Sequence, residues 1–139
     1  MAANTSPIFI KQGNFTVGRI AAANTASDGS GALVTIVTAT TDGTRVDGVR
    51  FINSQATAAA SGAKVLRIFL SDTAGANFML VGEVAMAAAT RSTTVIGATA
   101  IYTFDQPIIM KSGQIMSVCM SVYVGAQDQT DACAYAGDY

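Results

Sequence analysis

The chain has 139 residues, of which 12% are charged and 50% hydrophobic, with eight Lys and Arg against nine Asp and Glu and no histidine. An ordinary soluble domain is about a quarter charged, so these charges are too few to cover a free surface, and the commonest general acid–base residue is missing. The basic residues Lys11, Arg19, Arg45, Arg50, Lys64, Arg67, Arg91 and Lys111 are scattered. They form no cluster for phosphate, and no nucleic-acid partner is expected.

A chain of this length buries about 70% of the surface its unfolded form exposes, enough for one domain over residues 1–139 without a metal or disulfide. Only 7% of residues are aromatic and none is Trp, so the core is expected to be built from Ala, Val, Ile, Leu and Met. The N-terminus has neither a basic segment nor an apolar run before a cleavage site, which predicts synthesis in a cytoplasm. No stretch approaches 18 uninterrupted apolar residues, and no membrane partner is expected.

Residues 1–12 read as a flexible or strand-adding N-terminal arm, in which Ile8, Phe9 and Ile10 suit addition to a neighbouring sheet. A strand over residues 15–21 follows, then the small polar residues 24–31, which predict a flexible surface loop. Residues 32–40 are rich in β-branched side chains, and Asp42-Gly43 separates them from a second extended run, residues 44–53. Together they read as a hairpin. The alanine-rich residues 55–60 make at most a helical turn before Ser61-Gly62.

Residues 63–71 alternate Leu66, Ile68 and Leu70 with Val65, Arg67 and Phe69, because successive strand side chains point to opposite faces. Both faces are largely apolar. Further strands are expected over residues 77–86, 93–96 and 99–105, then from Pro107 through Met110, Pro being tolerated at a strand's head. Residues 114–125 predict the longest strand, with Met116, Val118, Met120, Val122 and Val124 as its core face. Residues 132–139 close the chain after a polar turn.

The pattern predicts an all-β, jelly-roll-like antiparallel sandwich of about eight to ten strands in one domain. Catalysis is not expected. Without histidine, a Ser or Cys nucleophile needs a Lys or carboxylate as base, and Lys64 and Lys111 qualify only by default. Seven acids, Asp28, Asp42, Asp47, Asp72, Asp128, Asp131 and Asp138, lie in or beside turn-like sequence, where Asp bonds the local backbone. Glu83 and Asp105 are not paired by any pattern, so a glycosidase carboxylate pair is not indicated.

No cofactor or metal is expected. Cys119 and Cys133 cannot complete a zinc site, and residues 127–131 lack the glycine and terminal Glu of a calcium loop. The two cysteines read either as buried thiols, the favoured reading, or as a disulfide between neighbouring strands. A contact patch is expected at Val65, Arg67 and Phe69, where an exposed phenylalanine beside an arginine suits a protein interface. In that reading Arg67 pairs with Asp47 on the same or a neighbouring chain; a plain surface salt bridge is the alternative. The face of Ser117, Cys119, Ser121 and Tyr123 is a second candidate for close approach.

Residues 44–72, Leu80-Val-Gly-Glu-Val, Phe104-Asp-Gln-Pro-Ile-Ile-Met-Lys-Ser-Gly-Gln and the terminal Gly-Asp-Tyr resemble small structural proteins of tailed bacteriophages. Within that group the chain most resembles capsid decoration, or cement, proteins. The resemblance implies a homotrimer on the outer surface of the virion head, bound to the major capsid protein, stabilising the lattice and assembled in the host cytoplasm. It carries no catalytic residues across. A tail, baseplate or head-fibre component binding a host surface glycan is the alternative.

Overall fold

The structure, a computed structural model, describes residues 9–14, 16–54, 60–125 and 128–139. Ile8, the arm before it and most of the alanine-rich 55–60 stretch lie outside the described residues. Among the described residues, alternating apolar and β-branched side chains produce nine strands and no helix. They are β1 (Gln12–Asn14), β2 (Val17–Ile20), β3 (Val34–Thr38), β4 (Thr44–Asn53), β5 (Lys64–Leu70), β6 (Met79–Met86), β7 (Thr99–Met110), β8 (Ile115–Met120) and β9 (Thr130–Asp138).

One antiparallel sheet has the order β1-β9-β4-β7, with β2 also paired to β9. The other has the order β3-β8-β5-β6. Since β1 and β2 lie along the same partner, they act as one interrupted strand. Eight strands then fill two sheets, and every connection except β5–β6 passes from one sheet to the other, which is the jelly-roll plan.

The core lies between the sheets. Val46, Val49 and Phe51 of β4 and Ala132 and Ala134 of β9 meet Leu66 and Ile68 of β5 and Met116, Val118 and Met120 of β8, all fully buried. Each large side chain of this set contributes about 1.5–3 kcal/mol by leaving water. Small residues fix the spacing: a Cβ on Gly82 of β6 would lie 2.7 Å from the Tyr102 ring of β7. Only glycine there lets the two sheets close against the edge-to-face Tyr102–Phe104 pair.

Several expectations are corrected. Asp42-Gly43 does form a turn, with Gly43 at φ 100° and its N–H donating to the Thr40 carbonyl at 3.1 Å. Yet β3 and β4 belong to different sheets, so the turn is a crossover and not a hairpin. Residues 99–110 form one strand rather than two. Pro107 sits inside it because β7 is a sheet edge, where a missing donor is tolerated, and because residues 104–107 bow out opposite Asp47.

β8 ends at Met120, so Val122 and Val124 are not core; they are 38% and 61% exposed. The 21–33 connection is also ordered by its own bonds. Asn24, 7% exposed, donates through Nδ2 to the carbonyls of Ser30 and Ala32 at 2.8 and 3.0 Å and accepts from the Ala26 N–H at 3.0 Å.

Candidate functional site

Alternation along β5 places Val65, Arg67 and Phe69 on the outer face of the β3-β8-β5-β6 sheet, but they do not make an exposed patch. Phe69 is fully buried. Arg67 stands in register between Cys119 and Glu83. Its Nε donates to Glu83 Oε1 at 2.8 Å and its Nη1 to the Thr25 carbonyl at 3.3 Å. Asp47 lies on β4, in the other sheet, and accepts instead from Arg45 at 3.0 and 2.7 Å.

Part of this outer face is covered by the chain itself, while Leu80 of β6 stays 39% exposed. Ala23 bridges Met120, the Cys119 thiol faces the Asn24 carbonyl at 3.8 Å, and Gly29 stands directly against Phe78. The 21–33 connection thereby helps bury Cys119, and desolvation pushes the Cys119 thiol up from its ordinary value.

The outer face of the other sheet is more open among the described residues, with Ile10 packed over Gly137 at one edge. Antiparallel register aligns Val17, Cys133, Arg50 and Ile101 in one row across β2, β9, β4 and β7. A second row runs from Gly137 through Arg45 to Ile109. Val17, Ile101 and Ile109 are 58%, 55% and 55% exposed, and Tyr135 is exposed beside them.

The charges of this face are mostly paired. Arg19 donates to both oxygens of Asp131 at 2.8 and 3.2 Å, which holds the Asp131 carboxyl below its ordinary value. Arg50 makes no ion pair among the described residues. Exposed aliphatic side chains, a tyrosine and a free arginine on one strand surface are the composition of a protein interface.

The N-terminal segment borders the same face. Lys11 N–H donates to the Asp138 carbonyl at 2.8 Å, β1 continues along β9, and Ile10 packs over Gly137, where a Cβ would meet it at 2.5 Å. Residues 12–14 therefore add to the chain's own sheet. Phe9, 74% exposed, projects beyond it.

At one end of the sandwich the described parts of the connections after β2, β4, β6 and β8 gather, and a buried polar cluster ties three of them together. Lys64 Nζ donates to Asp128 Oδ1, with the two side chains 0% and 1% exposed. Asn53 Nδ2 donates to the same oxygen at 3.2 Å and to the Gln129 carbonyl at 3.1 Å. Asp128 Oδ2 accepts from the Val124 N–H at 3.1 Å and the Gly62 N–H at 3.5 Å. Arg91 Nη1 reaches the Asn53 carbonyl at 3.5 Å.

Asp128 is thus a buried ion-pair partner and not a solvated turn residue. Above the cluster Val122 and Val124 crowd Gly62, and Val95 and Ile96 stand out at 52% and 88% exposure. Cys119 and Cys133 are free and lie on opposite outer faces of the sandwich, which the thickness of two sheets separates. The disulfide alternative fails on that geometry.

Asp28 and Asp72 keep local roles. Each accepts from nearby backbone N–H groups, and these bonds, with those from the Ser30 hydroxyl and the Asn77 amide, hold both carboxyls below their ordinary values. Among the described residues no group of three His, Cys, Asp or Glu side chains is placed to hold a metal. No protein-family model matches the chain, and no curated protein matches it in sequence.

Proposed function

We propose that the chain is a non-enzymatic structural protein of a phage virion, a decoration protein that binds the outer surface of the head as a homotrimer and stabilises the major capsid lattice. The observation that carries this reading is the open outer face of the β1-β9-β4-β7 sheet. It presents Val17, Ile101, Ile109 and Tyr135 to solvent in a chain with too few charges to keep such a face wet. Apolar surface of this kind is stable when covered, and in a ring-closed trimer, whose interfaces are head-to-tail, the cover is a different surface of the neighbouring copy or the host lattice.

The sequence resemblance supplies the lattice, and the physics of multivalency supplies the trimer. Three equivalent weak contacts joined in one particle raise avidity by orders of magnitude. The exposed loop residues Val95, Ile96 and Val124 and the projecting Phe9 are further contact groups around the rim.

Purified protein is mixed with phage heads lacking it, and co-sedimentation together with cryo-electron microscopy of the decorated heads reads the outcome. Regular added density at lattice positions on the outer surface supports the proposal. Binding to host-surface glycan with no binding to heads overturns it in favour of a tail, baseplate or head-fibre component.

A further inference from the structure

Asn53, Lys64 and Asp128 form a buried trio that the proposed function leaves unused. The last residue of β4 and the first of β5 place a carboxamide and a primary amine, the two reactants of an amide exchange, on one carboxylate oxygen. Lys64 Nζ and Asn53 Nδ2 both donate to Asp128 Oδ1, the latter at 3.2 Å. All three side chains are essentially closed to solvent. Nζ also donates to the Met120 thioether at 3.8 Å.

Two further observations point to reaction. Asn53 Oδ1 is buried without a hydrogen-bond partner among the described residues, so its carbonyl is the unsatisfied part of the site. Asp128 is fixed through its other oxygen by the Val124 and Gly62 N–H groups, leaving Oδ1 to serve the amine and the amide together.

We propose that Lys64 and Asn53 join in an intramolecular isopeptide bond, with Asp128 carrying the protons. Proton transfer from the Lys64 ammonium to the Asp128 carboxylate frees the lone pair of the amine. The freed amine nitrogen attacks Asn53 Cγ, forming the Nζ–Cγ bond and a tetrahedral centre. The Asn53 amide keeps its orientation, with Nδ2, the group that must leave, beside the protonated Asp128.

Asp128 then delivers its proton to Nδ2 and accepts one from Nζ as the Cγ–Nδ2 bond breaks. The leaving ammonia departs as ammonium with the proton that Lys64 brought, and the Asp128 carboxylate is restored. Ammonium side chain plus primary amide become secondary amide plus free ammonium, with no oxidant and no co-reactant. Fixed geometry replaces the activation that amides otherwise need. The product ties β4 to β5, one sheet to the other, at the loop end of the sandwich.

Intact-mass spectrometry of the purified full-length chain tests this directly. The expected mass, allowing for removal of Met1, is lower than that of the sequence by one ammonia. Tryptic cleavage after Lys64 is expected to be blocked, so that residues 51–67 are recovered as one piece. Lys64→Arg and Asp128→Ala are each expected to restore the full mass, and the wild-type reading decides the matter even if either variant fails to fold. An unshifted wild-type mass overturns the proposal. So does loss of water, which means a Lys64–Asp128 amide, and so does ammonia loss with cleavage after Lys64 intact, which means cyclisation at Asn53-Ser54.

Discussion

Lys64 and Asp128 show what a residue's letter does and does not reveal. In the sequence Lys64 follows Ser61-Gly62-Ala63 and Asp128 lies among polar residues, the setting of solvated turn charges. Burial of both comes from the fold, which brings the start of β5 and the connection before β9 to the same end of the core. Removing Asp128 leaves the Lys64 ammonium buried as an uncompensated charge and, by the proposed chemistry, also prevents the cross-link. Asp128→Ala is therefore expected to lower unfolding stability by about 3–5 kcal/mol, seen as a lower urea midpoint. Asp47→Ala, which breaks the exposed Arg45 pair, is expected to cost about 0–1 kcal/mol in the same measurement.

Asp131 gives the residue scale its pH dependence. Its hydrogen bonds with Arg19 depress the folded carboxyl below its unfolded value, so the stability it adds is present above the unfolded value of about 3.9 and disappears as pH falls through the folded one. Arg19→Met is expected to reduce the acid-side loss of stability relative to wild type in urea titrations run from neutral pH downward. An unchanged difference between the two pH limits contradicts that assignment.

At the scale of elements, alternation in sequence identified most strands, and Met116, Val118 and Met120 fall on the core face expected of them. What alternation cannot express is which sheet a strand joins. The Asp42-Gly43 turn is spelled as a hairpin would be, and only pairing of β3 with β8 and of β4 with β9 makes it a crossover. Nor does it express which outer face is covered. Phe69 and Cys119 carry an outward phase, yet the 21–33 connection and neighbouring side chains leave them no solvent.

Small polar residues suggested mobility in that connection, whereas Asn24 uses its amide to close it. Its role as a cover has a chemical readout. In native protein Cys133 is expected to react with a maleimide well before Cys119, whose burial disfavours the thiolate. Asn24→Ala is expected to raise the rate at Cys119 severalfold while leaving Cys133 unchanged. Equal rates in wild type contradict the cover.

For the whole molecule, the low charge content noted at the outset acquires a location. Sequence placed the contact patch on Val65, Arg67 and Phe69; the fold buries Phe69, half-buries Val65 and Arg67, and leaves more open the row Val17, Cys133, Arg50, Ile101 on the other side. That row draws on four strands far apart in the chain, so no local window contains it. Its apolar members stood in the sequence as ordinary strand residues, and only register assembles them into a surface.

The proposed assembly depends on that surface, and one measurement addresses it most directly. Wild-type protein and Ile101→Lys are compared by size-exclusion chromatography with light scattering and then by co-sedimentation with undecorated heads. Wild type is predicted to elute with a mass about three times 14.2 kDa and to bind heads, while Ile101→Lys, folded by circular dichroism, loses trimer, head binding or both. A wild-type chain that stays monomeric and leaves heads bare contradicts the account.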